Sequence, residues 1–302
     1  MRWENFRRSS NVEQGRGGFR IGGGGLGIGA ILLILLASWG LGIDPRVLIA
    51  ALTDGSPGYS DDPSQADSRA PSGAPNGAPG AAQNPEMPFV AAVLGETEDR
   101  WTDILAEHGV TYDPPKLVLF SGVTRSACGA AQSAMGPFYC PNDQRIYLDT
   151  EFFREIETRL GGCEAGSKTC EFSEAYVIAH EVGHHVQDQL GILAKAMQAE
   201  HRASEAEANQ IQVRVELQAD CFAGLWAARA EAKWNFLETG DVDAALQTAS
   251  AIGDDTLQKR SQGYAVPDSF THGTSAERVR WFLRGLKGGT LESCDIFSAR
   301  TL

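Results

Sequence analysis

AYVIAHEVGHHVQ, residues 175–187, is the stretch on which the reading of this 302-residue chain turns. Tyr176, Val177, Ile178 and Val182 supply the apolar side of a helix predicted over 174–189. Ser173 reads as its N-cap, and Gly191 stands where a C-terminal glycine belongs. Residues four apart lie about 40° apart around a helix axis, so His180 and His184 share one face. Two neutral imidazoles so placed suit Zn²⁺. Glu181, rotated by about 100°, reaches a water beside the metal rather than the metal itself. His185 points away from His184 and reads as a packing or hydrogen-bonding residue.

A catalytic zinc needs a third protein ligand and an open position. Gln187 and Leu190 occupy the places where a metzincin has glycine and a third histidine, so a later carboxylate must serve. Among Glu200, Glu205, Glu207, Glu216 and Asp220, the choice falls on Glu216 in RVELQADCFAGLW, residues 214–226. Leu217, Cys221, Phe222 and Leu225 mark that helix as partly buried, and a buried carboxylate needs a cation. Asp220, one turn on, is placed to accept the second ring N–H of a zinc histidine. Glu200, Glu205 and Glu207 lie in a polar run and read as solvated. In FTHGTSAERVRWF, residues 270–282, His272 precedes a capping-box helix and is a candidate donor to the oxyanion at a scissile carbonyl. Arg278 is expected to orient His272 or to pair with an acid.

Around these blocks the chain reads as helix-rich α+β. Helices are expected over 96–108 (closed by Gly109), 150–159, 203–237, 242–260 and from Thr274 to Gly288. LVLF at 117–120 and RIYLD at 145–149 read as strands. RIYLD is expected to be the edge strand that receives a peptide backbone.

The formal charge of −13 argues against a nucleic-acid binder. It is uneven: residues 1–20 hold five arginines and two glutamates, a net of +3, which leaves −16 on the rest. Residues 21–43 carry no charge over 23 positions, and as a helix they would reach about 34 Å, enough to cross a bilayer. They read as an uncleaved transmembrane anchor, with the arginines before it cytoplasmic and the chain after it outside. Residues 44–88 are rich in Pro, Gly, Ala and Ser and read as a disordered linker, which leaves 89–302 as the folded domain. All six cysteines lie in that domain, and an even number suits an oxidising compartment. Spacing favours Cys128–Cys140 and Cys163–Cys170, leaving Cys221–Cys294.

Together the blocks MRWENFRRSSNVE (1–13), GPFYCPNDQRIYLDTEFF (136–153), AYVIAHEVGHHVQ (175–187), ELQADCFAG (216–224) and FTHGTSAERVRWF (270–282) resemble the bacterial neutral zinc metallopeptidases, the YpfJ-like family. The resemblance implies a zincin-like, gluzincin-type peptidase anchored in the inner membrane by a single pass, with its catalytic domain periplasmic. It implies one Zn²⁺ per chain on His180, His184 and Glu216, with Asp220 behind them, and a peptide or protein as substrate. The spacing of His272 and Arg278 is also similar to a His-Pro…Arg motif of the integral-membrane HtpX peptidases, with Gly273 in place of the proline. The insert GGCEAGSKTC, residues 161–170, departs from the family pattern. The rival reading is a non-catalytic zinc-containing envelope binding module or chaperone. An intact Glu181 speaks against it, since structural zinc needs no general base.

Overall fold

The computed structural model describes residues 1–15, 84–132, 136–160, 163 and 167–302. The expected anchor 21–43 and residues 44–83 of the expected linker lie outside the described residues. Among the described residues no helix is long and apolar enough to cross a membrane.

A four-stranded sheet has the order β1 (Val12–Gln14), β2 (Lys116–Phe120), β6 (Arg145–Asp149), β5 (Phe138–Cys140). β1 and β2 are parallel, as are β2 and β6. β5 runs antiparallel to β6 on the outer side. β2 is apolar and buried from Leu117 to Phe120, as a strand covered on both faces must be. A separate hairpin joins β3 (Val123–Ser126) to β4 (Gly129–Gln132). RIYLD is therefore an interior strand, not the edge: Phe138–Cys140 takes the outer place because β6 is already paired with β2.

The helices are α1 (Met87–Glu107), α2 (Thr150–Glu155, continued by a π-helical turn over Ile156–Leu160), α3 (Thr169–Gln189), α4 (Ile192–Glu200), α5 (Glu205–Trp234), α6 (Asp241–Ala251), α7 (Asp254–Gln262) and α8 (Ser275–Gly288). Their shared core is aromatic, with Trp101 edge-on to Phe222 at 5.2 Å and Tyr176 edge-on to Phe282 at 5.3 Å. α1 starts at Met87, with Pro88 in its first turn, so the last two residues of the expected linker are helical. α3 starts one turn before Ser173, which is buried inside it rather than capping it; Phe172 just ahead fills the core, so the helix must extend past it. The stretch expected as one helix over 242–260 is two. Gly253 sits where a Cβ would lie 2.4 Å from the Ser275 amide nitrogen, so the chain breaks there to let α8 begin. α5 and α8 open with the capping boxes Ser204/Glu207 and Thr274/Glu277. All three expected disulfides are present, Cys128–Cys140, Cys163–Cys170 and Cys221–Cys294.

Residues 1–15, set apart by the sequence reading as a tail, belong to the folded unit. Phe6 is buried against Phe236 with ring centroids 5.4 Å apart, and β1 completes the sheet. The domain thus comprises both flanks of the apolar stretch.

Near the start of α3, Glu174 is buried. Burial first, then the charges of Glu86, Glu157 and Glu171, push its carboxyl up to about 8. A folded value above the unfolded one gives stability that is full below the ordinary value of 4.5 and lost as pH rises toward 8. Glu174→Gln is therefore expected to be neutral in acid and to gain on the order of 3 kcal/mol at neutral pH, levelling above about pH 8. Thermal melts across that range check it; a gain that does not grow with pH refutes it.

Candidate metal centre

α3 and α5 approach closely because of Gly183, inside the HEVGH string. A Cβ there would lie 3.1 Å from both the Cα and the carbonyl oxygen of Ala219. That contact sets Glu216 of α5 beside the two histidines of α3. His180 Nε2 lies 3.2 Å from Glu216 Oε2, and His184 Nε2 lies 3.6 Å from Glu216 Oε1. One ligand atom from each of the three residues falls within 4.8 Å of the others, the single such group among the described residues.

The outer nitrogens are held from behind. His180 Nδ1 donates to Asp220 Oδ1 at 2.9 Å, and His184 Nδ1 donates to Gln187 Oε1 at 2.9 Å. Each ring thus turns Nε2 toward Glu216, the tautomer a metal requires. Asp220 also accepts from Tyr176 Oη at 2.6 Å and from Arg278 Nε and Nη2, both at 2.9 Å. Burial pushes the Asp220 carboxyl up, but the Arg278 charge and then His180 outweigh it and bring it to about 2. Gln187 passes the support of His184 onward: its Nε2 donates to Val215 O at 2.8 Å and Gln218 Oε1 at 3.0 Å, and Gln218 Nε2 donates to Cys294 O at 3.0 Å.

Glu181 is buried on the cleft side of α3, and its Oε2 has no hydrogen-bond partner among the described residues. Burial raises its carboxyl above the usual range against the opposing pull of His180 and His184. Two imidazoles and a carboxylate converging on one point, beside an unpaired buried acid, fit a zinc ion and the water it would activate.

His272 lines the same cleft of about 650 Å³, which also contains Phe138, Val177, Met197 and Leu257. Asp254, at the first turn of α7, ties down the turn that carries it. Asp254 Oδ2 accepts from the backbone amides of Thr271, His272 and Gly273 at 2.7, 2.6 and 3.2 Å, and Oδ1 lies 3.3 Å from His272 Nδ1. The hydrogen bond to Asp254 raises the His272 imidazole above its ordinary value, against burial. Gly273 holds φ +84°, a conformation in which proline is impossible. Arg278 does not orient His272; it pairs with Asp220, and Asp254 takes the orienting place.

Of the residues singled out in the sequence, the structure brings His180, Glu181, His184, Glu216, His272 and Arg278 to one cleft, with Asp220 buried behind them. Sequence reasoning missed Gln187, although three residues beyond His184 on the same helix face is a readable spacing. It missed Asp254, for which an 18-residue separation across a break offers no local signal. His185 is structural as expected: its Nε2 donates to Asp113 O at 2.6 Å, and its Nδ1 lies 3.2 Å from Tyr139 Oη, which donates to Asp188 at 2.8 Å. These bonds pin β5 to α3. Glu200, read as solvated, is half-buried in the cleft wall.

Comparison with known proteins agrees with this geometry. The sequence profile described as "putative neutral zinc metallopeptidase" matches residues 1–297. The uncharacterized protein YpfJ of Escherichia coli (strain K12) is 42% identical over 307 aligned residues, covering 98% of this chain and 99% of that one. An uncharacterized protein of Mycobacterium tuberculosis (strain H37Rv) is 42% identical over 200 residues, covering 63% of this chain and 65% of its own. No solved structure matches.

Proposed function

The chain belongs to the putative neutral zinc metallopeptidase family, and from that premise we propose that it is a zinc-dependent endopeptidase of the bacterial envelope. The observation that carries this reading is the convergence of His180, His184 and Glu216 in an open cleft beside buried Glu181, whose Oε2 has no hydrogen-bond partner among the described residues. His180, His184 and Glu216 would hold the zinc, which would supply Lewis acidity for the substrate carbonyl and for a water near neutral pH.

The chain's own groups do the rest. Glu181 takes the proton of the attacking water and passes it to the leaving amine. His272 donates a hydrogen bond to the oxygen on which negative charge develops. Asp220 and Gln187 hold the two metal-facing imidazoles in the correct tautomer. Phe138 and Tyr139 of β5 line the cleft, and β5 is the outermost of the described strands of its sheet, the place where an extended peptide would add. Residues 21–43 attach the protein to the inner membrane, and the three disulfides suit the periplasm.

The test uses the full-length chain on a mixture of unfolded proteins, with metal content measured in parallel. Cleavage is expected to fall to background when a chelator strips the metal and to return with added zinc. Cleavage that ignores chelation overturns the reading.

Asp254→Asn probes the role of His272. It is expected to lower kcat about 10- to 100-fold with zinc content and KM held, because His272 loses its fixed aim. Since Asp254 raises His272, its neutralisation should also move the alkaline limb of the pH–rate profile to lower pH. An unchanged profile refutes the pairing.

A further inference from the structure

We infer that residues 1–15 and residues 84–302 lie in the same aqueous compartment, so that the apolar stretch between them does not carry the chain across the membrane once. Both flanks of that stretch are joined by contacts that form only when they meet. β1 pairs with β2 in parallel, Val12 opposite Leu117 and Gln14 opposite Leu119, and Gly15 N donates to Leu119 O at 2.8 Å. Trp3 meets Phe89 edge-on at 5.5 Å. Ser9 N donates to Ala91 O at 2.8 Å. Glu98 of α1 is buried and takes its partners from the N-terminal segment: Arg7 Nη2 at 2.6 Å, Ser9 Oγ at 2.6 Å and Asn11 Nδ2 at 2.7 Å.

The fit is specific from the other side as well. Gly95 of α1 faces the Arg7 carbonyl oxygen so closely that a Cβ would lie 2.2 Å from it. α1 is therefore shaped around the N-terminal segment. Of the arginines that read as an orientation signal, Arg7 pairs with Glu98 and Asp99 of α1, and Arg8 lies over the Trp3 ring at 5.0 Å. One crossing by residues 21–43 would put β1 and β2 on opposite faces of the bilayer. It would strand the buried Glu98 carboxylate without its donors, a state that proteins avoid. A chain that leaves at Gly15 and returns at Asn84 on one side crosses an even number of times. Beyond Asp44, residues 45–83 hold no second charge-free stretch long enough to span, so a second crossing has no segment to make it. This rests on the membrane attachment proposed above and stands against the single pass expected from the sequence.

The experiment exploits the cysteines, all of which are in disulfides among the described residues. Asn5→Cys and Arg300→Cys each introduce one free thiol at an exposed site in the full-length chain. Both are treated in intact cells, with the outer membrane permeabilised, with a maleimide that cannot cross the inner membrane. Both are expected to be labelled to the same extent before lysis. In parallel, a zero-length carbodiimide applied to native membranes should couple Glu13 to Lys116, whose charged groups lie 3.0 Å apart, and Lys116→Arg should lose the linked peptide. Labelling of Arg300→Cys alone before lysis, with no Glu13–Lys116 link, overturns the inference. Labelling of both only after lysis upholds the shared compartment and refutes the periplasmic placement. Failure of the chain to fractionate with membranes refutes the attachment instead.

Discussion

Glu181→Gln is expected to keep its zinc and to lose hydrolysis by about 10²- to 10⁴-fold in kcat. Glutamine matches the shape of the carboxylate but cannot accept the proton of the attacking water. The site explains why the loss should fall on the chemical step. Glu181 is not among the three residues whose ligand atoms converge, so metal content should stay near that of the parent. Its carboxyl is raised by burial, a basicity that suits proton transfer near neutral pH. Stopped turnover with metal analysis on the same sample decides the matter. Undiminished kcat removes Glu181 from the reaction, and loss of zinc would make it a ligand.

Arg278→Leu carries the largest expected cost in stability. Asp220 is fully buried, and Arg278 supplies two of its four hydrogen bonds and its opposing charge. Removing one partner of such a pair leaves an uncompensated buried charge, a loss of about 3–5 kcal/mol. For a domain of this size that is a fall in melting temperature on the order of 10 °C. The double variant Arg278→Leu/Asp220→Asn removes the stranded charge and should recover much of the loss, so the two changes must be non-additive. His180 would then lose its carboxylate support, and zinc retention should weaken even where the fold recovers. Additive losses in thermal melts would show that the two residues act apart.

What was legible in the sequence was local. The helix period alone sets His180 against His184 and Glu216 against Asp220, and the capping box at Thr274 marks its own helix. The disulfides were legible because short separations leave few partners. What escaped depended on distant backbone. The break at Gly253 is caused by Ser275, the inward position of RIYLD by β2, and the extension of α3 past Ser173 by the core around Phe172. The N-terminal block was quoted correctly but read by charge. Its arginines flank an apolar stretch as an orientation signal would, and nothing local reveals that Arg7 and Asn11 complete a carboxylate on a helix some ninety residues away.

α5 and α8 meet at two glycines. A Cβ on Gly224 would lie 2.1 Å from the Phe282 carbonyl oxygen, and one on Gly285 would lie 1.9 Å from that of Cys221. Main chain therefore bears on main chain, one turn from Asp220 on α5 and two from Arg278 on α8. Rotamer exchange is among the fast motions of a protein, and at these two glycines it has nothing to act on. The spacing behind His180 is thereby insulated from side-chain noise.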